Sequence, residues 1–86
     1  MSVSVKVYTT PYCPYCTRAK QLLSHKGVMF DEIDLSRQPV EVRSELMQRT
    51  GQRTVPQIFI GEQFIGGCDD MYALERRGQL DSMLAG

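Results

Sequence analysis

The segment VSVKVYTTPYCPYCTRAKQLLSHKG, residues 3–27, changes from one hydrophobic period to another at a pair of cysteines. Before the cysteines, valines alternate with polar residues, a pattern that predicts a half-buried strand. After them, Ala19, Leu22 and Leu23 recur at helical spacing from Tyr15. The segment therefore predicts a strand, a short turn and a helix. The helix is expected to end near Gly27, the last residue of the segment.

The rest of the chain continues the alternation of strands and helices. The segment VMFDEIDL, residues 28–35, predicts a second strand, and Pro39 to Arg49 a second helix. The segment QIFIGEQFIGG, residues 57–67, predicts a β-hairpin whose two-residue turn begins with glycine. A last helix is predicted from Cys68 to Arg77, and LDSMLA, residues 80–85, adds one or two further helical turns.

The predicted element order is β-α-β-α-β-β-α. A helix between the first two strands implies a parallel pair with a right-handed crossover, and the hairpin makes the last two strands antiparallel. The predicted fold class is therefore α/β, with a mixed four-stranded sheet and helices on both faces. A chain of 86 residues is expected to form one domain, residues 1–86.

Composition excludes several classes of function. The ten basic and ten acidic residues cancel, whereas nucleic-acid binding usually needs a basic excess. No apolar run approaches the roughly 20 residues that a membrane-spanning helix needs, and the alternating N-terminus does not resemble a signal peptide. We expect a cytoplasmic monomer that binds neither nucleic acid nor membrane, in a compartment where lasting disulfides are rare.

The two cysteines are expected to differ in reactivity. Cys13 falls at the start of the predicted helix, where unpaired backbone N–H groups and the helix dipole stabilise a thiolate. Cys16 lies within the first turn on the same side, and we expect it to be more buried. A Cys-x-x-Cys beside a βαβ pattern is typical of a redox centre. We therefore expect Cys13 to be the catalytic nucleophile and Cys16 the resolving thiol.

Two other uses of the cysteine pair fit less well. A structural zinc site normally takes four ligands, and beyond the pair the chain offers only Cys68 and His25. Because His25 lies at the far end of the helix, no metal is expected. Two inert buried cysteines are also disfavoured, since Cys-x-x-Cys at a helix start is not a packing pattern. Cys68 is expected to matter through its backbone more than its sulfur, with a regulatory disulfide as the alternative.

Three motifs together resemble the dithiol type of the glutaredoxin family. They are CPYC at residues 13–16, TVP at residues 54–56 and GGCDD at residues 66–70, in the family's order and at matching separations. The resemblance covers about Val3 to Leu84. It implies a thioredoxin-like fold, with glutathione as the co-substrate.

The resemblance also implies a groove for glutathione. The expected glutathione-binding residues are Tyr15, Arg53, Thr54, Val55, Pro56, Gly67, Cys68, Asp69 and Asp70. Val55 would pair its backbone with the cysteinyl part of glutathione, as a short antiparallel strand does. The amides of Cys68 and Asp69, at a helix N-terminus, would hold the γ-glutamyl carboxylate. Asp69 or Asp70 would hold the ammonium group, and Arg53 the glycine carboxylate.

The resemblance carries one further expectation and one departure. Pro56 would follow a cis peptide bond. Many glutaredoxins have a lysine three residues before the nucleophile, whereas this chain has Thr10. Arg18 and Arg53 are the cations that would compensate in part for the missing lysine.

The function implied is a glutathione-dependent thiol-disulfide oxidoreductase that reduces glutathionyl mixed disulfides and protein disulfides. Ribonucleotide reductase is a substrate that the family often serves, but nothing in the sequence selects it. One alternative is a module that binds a 2Fe–2S cluster through glutathione, against which Pro14 argues. Another is a thioredoxin-like electron donor fed by a flavoprotein reductase, which would not need the GGCDD site.

Overall fold

The computed structural model describes residues 3–85 of the chain. The strands and helices follow the predicted order. They are β1 (Val5–Thr9), α1 (Pro14–His25), β2 (Asp31–Asp34), a 3₁₀ helix (Leu35–Arg37), α2 (Val40–Thr50), β3 (Gln57–Ile60), β4 (Gln63–Gly66), α3 (Cys68–Arg76) and α4 (Leu80–Ala85).

The four strands form one mixed sheet in the order β2-β1-β3-β4. Strand β1 runs parallel to β2, and it runs antiparallel to β3 with Val7 opposite Ile58. Strands β3 and β4 form the predicted hairpin. Its turn begins with Gly61, whose φ of 62° is the left-handed conformation that glycine adopts without a steric penalty. The predicted sheet is therefore confirmed.

Side chains of the two central strands alternate between two hydrophobic cores. One face carries Val5, Val7, Ile58 and Ile60, which pack in the larger core. The helical residues in that core are Ala19 and Leu23 of α1, Cys68 and Met71 of α3, and Leu80 and Leu84 of α4. On the other face, Phe59 packs with Leu46 of α2 and with Leu35. The expectation of helices on both faces of the sheet is confirmed.

The second strand is shorter than the sequence predicted. It spans Asp31–Asp34 in place of residues 28–35. Val28 and Phe30 still pack against the larger core, although they lie outside the strand. The strand ends because the Asp34 carboxylate accepts a 2.9 Å hydrogen bond from the Ser36 N–H and caps the 3₁₀ helix.

Most of the helix ends lie within about one residue of the predicted ends. Pro39 is the N-cap of α2 and not its first residue. The C-terminal turns form a separate helix, α4, because Gly78 with a φ of 71° interrupts the chain after α3. The longest helix within residues 3–85 has 12 residues, and none of these helices combines the length and hydropathy that a bilayer crossing requires.

The end of α1 that lies away from the cysteines is fixed by ion pairs. The Lys26 ammonium lies 2.8 Å from a carboxylate oxygen of Glu75 in α3 and 2.8 Å from one of Asp81 in α4. Hydrogen bonds to Asp81 and then Glu75 raise the pKa of Lys26. These contacts tie α1 to the two helices that share its face of the sheet.

Replacement of Leu23 tests the larger core. Leu23 has no exposed surface, so Leu23→Ala should lower the free energy of unfolding by about 2–5 kcal/mol in urea denaturation, since it leaves a cavity. Val40→Ala is the matched control, because Val40 is 72% exposed and its change should stay within about 0.5 kcal/mol. Equal losses in the two variants would contradict this assignment of the core.

Candidate active site

Cys13 is the N-cap residue of α1. Its sulfur accepts a hydrogen bond from the Cys16 N–H at 3.3 Å, and its carbonyl oxygen accepts one from the Thr17 N–H at 3.1 Å. The sulfur therefore takes the position of the side-chain oxygen in an ordinary N-cap. There it faces the positive end of the helix dipole, which stabilises an anion.

Cys16 lies in the first turn of α1 and is only 2% exposed. Burial, followed by the hydrogen bond with Cys13, raises the pKa of Cys16 to about 12. Cys16 is therefore a protonated thiol at neutral pH, while Cys13 is half-buried and reaches the surface. The expected greater burial of Cys16 is thus found, while the roles of nucleophile and resolving thiol stay predictions.

The segment before β3 lies against Cys13. The peptide bond between Val55 and Pro56 is cis, as expected. The Val55 carbonyl oxygen lies 3.9 Å from the Cys13 sulfur and accepts the hydrogen bond of its thiol. Gln57, which is 1% exposed, donates from its side-chain amide to the carbonyl oxygens of Gln52 at 2.8 Å and Thr54 at 3.1 Å. Gln57 thus fixes this segment from the protein interior.

The N-terminus of α3 forms the opposite wall of the site. The Asp70 carboxylate accepts a 2.9 Å hydrogen bond from the Gly67 N–H and so caps the helix. The amides of Cys68 and Asp69 belong to the first turn, where no carbonyl of the same helix is available to them. The side chain of Asp69 is exposed. Asp70 is exposed as well, but one of its oxygens is engaged in capping, whereas Asp69 has no such capping bond.

Two glycines allow this arrangement. A Cβ atom on Gly66 would overlap the Asp70 carboxylate, and its φ of 112° also favours glycine. A Cβ atom on Gly67 would lie 3.3 Å from the Pro56 carbonyl oxygen. The start of α3 can therefore approach the cis-proline segment closely.

These segments line a cavity of about 380 Å³, and its wall residue Val55 contacts Cys13. Its lining residues are Tyr15, Gln52, Thr54, Val55, Pro56, Gly67, Cys68, Asp69 and Asp70. All the predicted groove residues except Arg53 are thus brought together. Arg53 lines a separate depression with Ser44 and Met47.

Sequence reasoning missed two residues of this site. Gln52 lines the cavity, but nothing in an irregular segment distinguishes it from its neighbour Arg53. Gln57 is a buried polar residue in a strand whose four residues are all buried. The sequence did contain a signal for Gln57, a polar residue in a strand of otherwise apolar residues. A buried amide needs hydrogen-bond partners, so such a residue is expected to bind nearby backbone groups.

The cations on α1 have partners away from the nucleophile. The Arg18 guanidinium lies 5.2 Å from the centre of the Tyr72 ring, and the Lys20 ammonium lies 3.0 Å from a Glu32 oxygen. Between Val3 and Ala85, no ion pair or hydrogen bond joins a cation to Cys13. On the helix side, the polar contact of the Cys13 sulfur is the Cys16 N–H.

Cys68 and His25 are the other two residues that the sequence offered as metal ligands. Cys68 lines the cavity and is 3% exposed, and its burial raises the pKa of its thiol. His25 is exposed at the far end of α1. In the part of the chain that the structure describes, no three His, Cys, Asp or Glu side chains converge in a way that suits a metal ion.

A Cys-x-x-Cys at the start of a helix, next to a cis-proline segment on a thioredoxin-like sheet, defines a thiol-disulfide oxidoreductase. The chain belongs to the glutaredoxin family, whose model, described as Glutaredoxin, matches residues 5–65. The family membership that the sequence implied is therefore confirmed.

Individual relatives agree with this assignment. A glutaredoxin of Pseudomonas aeruginosa is 58% identical over 81 residues, which cover 94% of this chain and 95% of the relative. Glutaredoxin 3 of Escherichia coli K12 is 54% identical over 94% of this chain and 96% of its own length. The crystal structure of a buckwheat glutaredoxin–glutathione complex superposes with a TM-score of 0.91 at 39% identity, over 95% of this chain and 76% of that one. This similarity confirms the thioredoxin-like fold.

Alkylation of the reduced protein tests the difference between the cysteines. Since the pKa of Cys16 is raised to about 12, iodoacetamide at pH 8 should modify Cys13 at least roughly tenfold faster than Cys16, because the thiolate is the reactive form. Peptide mass mapping over time measures both rates. Modification of Cys16 should accelerate only as the pH rises toward that pKa. Preferential modification of Cys16 at pH 8 would contradict the assignment.

Proposed function

We propose that the protein is a glutathione-dependent thiol-disulfide oxidoreductase, which reduces glutathionyl mixed disulfides and protein disulfides. The observation that carries this proposal is the cavity beside Cys13. Its walls offer a backbone edge at Val55 and a helix N-terminus at Cys68 and Asp69. A tripeptide with a free α-amino group and two carboxylates needs both kinds of partner.

The parts of glutathione match the cavity in a definite order. The γ-glutamyl carboxylate accepts from the amides of Cys68 and Asp69, and the Asp69 carboxylate pairs with the ammonium group. The cysteinyl backbone pairs with Val55, so that its sulfur approaches Cys13. The glycine carboxylate extends toward Gln52, with Arg53 as the nearby cation in the sequence.

Reduction of a glutathionyl mixed disulfide takes two exchange steps. The Cys13 thiolate attacks the glutathionyl sulfur, the disulfide bond to the substrate breaks, and the substrate leaves as a thiolate. The thiolate of a second glutathione then attacks the glutathionyl sulfur bound to Cys13. This step forms oxidised glutathione and restores the Cys13 thiolate, which the N-terminus of α1 stabilises.

Protein disulfides require Cys16 as well. After Cys13 has attacked, Cys16 loses its proton and attacks the Cys13 sulfur, which releases the second substrate thiol and closes a disulfide. Two glutathione molecules reopen it. Because the pKa of Cys16 is raised to about 12, little of its thiolate exists at neutral pH. Burial, the largest cause of this shift, does not depend on the state of Cys13 and so disfavours the Cys16 thiolate in both routes.

Two further properties belong to this proposal. The cavity supports reduction by glutathione over reduction by a flavoprotein reductase, since a chain fed by a reductase has no need of a tripeptide site. The three free thiols, Cys13, Cys16 and Cys68, suit a reducing compartment such as the cytoplasm.

Two cysteine variants test the mechanism. With the mixed disulfide of glutathione and 2-mercaptoethanol, Cys13→Ser should retain less than about 1% of the turnover, since it removes the nucleophile. Cys16→Ser should retain at least about half. Production of oxidised glutathione, coupled to glutathione reductase, gives the rate. Substantial turnover by Cys13→Ser would overturn the proposed role of Cys13.

A second experiment tests the glutathione cavity. Asp69→Asn should raise the KM for the same mixed disulfide by about tenfold, because it removes a charged hydrogen-bond partner of the ammonium group. Glu62→Gln is the control, since it removes one carboxylate from the exposed hairpin turn and should leave KM unchanged. An equal rise in both variants would point to net charge and away from a specific contact.

A further inference from the structure

Tyr12, directly before Cys13, has an unfavourable backbone conformation. Its φ is 60°, and among residues 3–85 it is the one non-glycine residue with a positive φ. That region favours glycine and, after it, asparagine. The ring makes no compensating contact, because the side chain is 102% exposed. Neither backbone preference nor packing within the chain accounts for a tyrosine at this position.

Tyr12 lies outside the proposed glutathione site. Tyr15 lines the cavity and Tyr12 does not. A glutathionyl mixed disulfide has two halves, and the cavity has groups suited to the glutathione half alone. The cavity therefore leaves the protein half to the exposed residues around the nucleophile, Pro11, Tyr12 and Pro14, which we call the rim. Tyr12 is the large side chain on that rim.

The chemistry of the rim favours an apolar partner. Residues 8–17 contain no charged side chain, and Pro11 and Pro14 on either side of the cysteine are exposed. A tyrosine ring offers a large apolar surface at a low cost in conformational entropy. Such a surface contacts aliphatic or aromatic side chains and offers no ion pair to a charged segment.

We infer that Tyr12 determines which protein substrates are reduced, by binding an apolar side chain next to the substrate's reacting cysteine. This inference rests on the proposed function. In the complex, the Cys13 thiolate attacks the glutathionyl sulfur, the bond between the two substrate sulfurs breaks, and the peptide leaves as a thiolate. Tyr12 holds the peptide during this exchange and takes no part in the bond changes.

The test compares three substrates with glutathione as reductant. Two are glutathionylated peptides of equal length, in which the cysteine is flanked by Phe and Leu or by Ser and Gly. The third is the mixed disulfide of glutathione and 2-mercaptoethanol. The variants are Tyr12→Asn, which suits the left-handed backbone, and Tyr12→Phe, which keeps the ring. Met29→Asn is the control, since Met29 is 92% exposed in the loop between α1 and β2.

The wild-type protein should prefer the Phe and Leu peptide over the Ser and Gly peptide by about fivefold in kcat/KM. Tyr12→Asn should remove this preference, mainly by raising KM for the apolar peptide, and leave the 2-mercaptoethanol disulfide within about twofold. Tyr12→Phe and Met29→Asn should behave as wild type.

Three results would overturn the inference. They are no peptide preference in the wild type, an equal loss on all three substrates in Tyr12→Asn, and the same selective loss in Met29→Asn. An equal loss would show that residue 12 acts through the turn that positions Cys13. If the wild type does not reduce the 2-mercaptoethanol disulfide at all, the proposed function itself fails. If it does, a failure of the peptide comparison concerns Tyr12 alone.

Discussion

The antiparallel pairing of β1 with β3 is the constraint on which the site depends. Because these central strands run in opposite directions, with Val7 opposite Ile58, the end of β1 and the start of β3 meet at one edge of the sheet. Cys13 follows the end of β1, and Val55 precedes the start of β3. Strand β4 runs antiparallel to β3, so its end brings the N-terminus of α3 to the same edge. Three segments distant in sequence therefore meet around one cavity.

Most of the fold could be predicted from the sequence because its hydrophobic periods are clear. The change of period at the cysteines predicts β1 and α1, and the glycine that begins the hairpin turn predicts where β3 ends. The end of β2 depended on a local contact, the Asp34 cap of the 3₁₀ helix, which competes with continuation of the strand. Hydrophobic periodicity does not report this contact. The separation of α4 from α3 was predictable, because Gly78, whose backbone is left-handed, is a residue at which helices commonly end.

The backbone segments that form the site could be predicted, because the three motifs mark them. The directions of single side chains could not be predicted. The cysteines and the segments at both walls lie where the three motifs implied. Gln52 lines the cavity while Arg53 lines another depression, and an irregular segment has no period from which to infer this. The positive φ of Tyr12 could not be predicted, because tyrosine rarely adopts this backbone conformation. Capping by Asp70, which distinguishes it from Asp69, appears only in the folded chain.

The contact between Gly66 and Asp70 makes these two positions evolutionarily interdependent. The space that a side chain at residue 66 would need is filled by the Asp70 carboxylate, and that carboxylate caps α3. A larger residue at 66 is therefore tolerated better once the carboxylate at 70 has gone, and the two substitutions are epistatic, with effects that do not add. Loss of the carboxylate at 70 removes only the overlap, because the φ of 112° at residue 66 opposes a side chain there whatever the space.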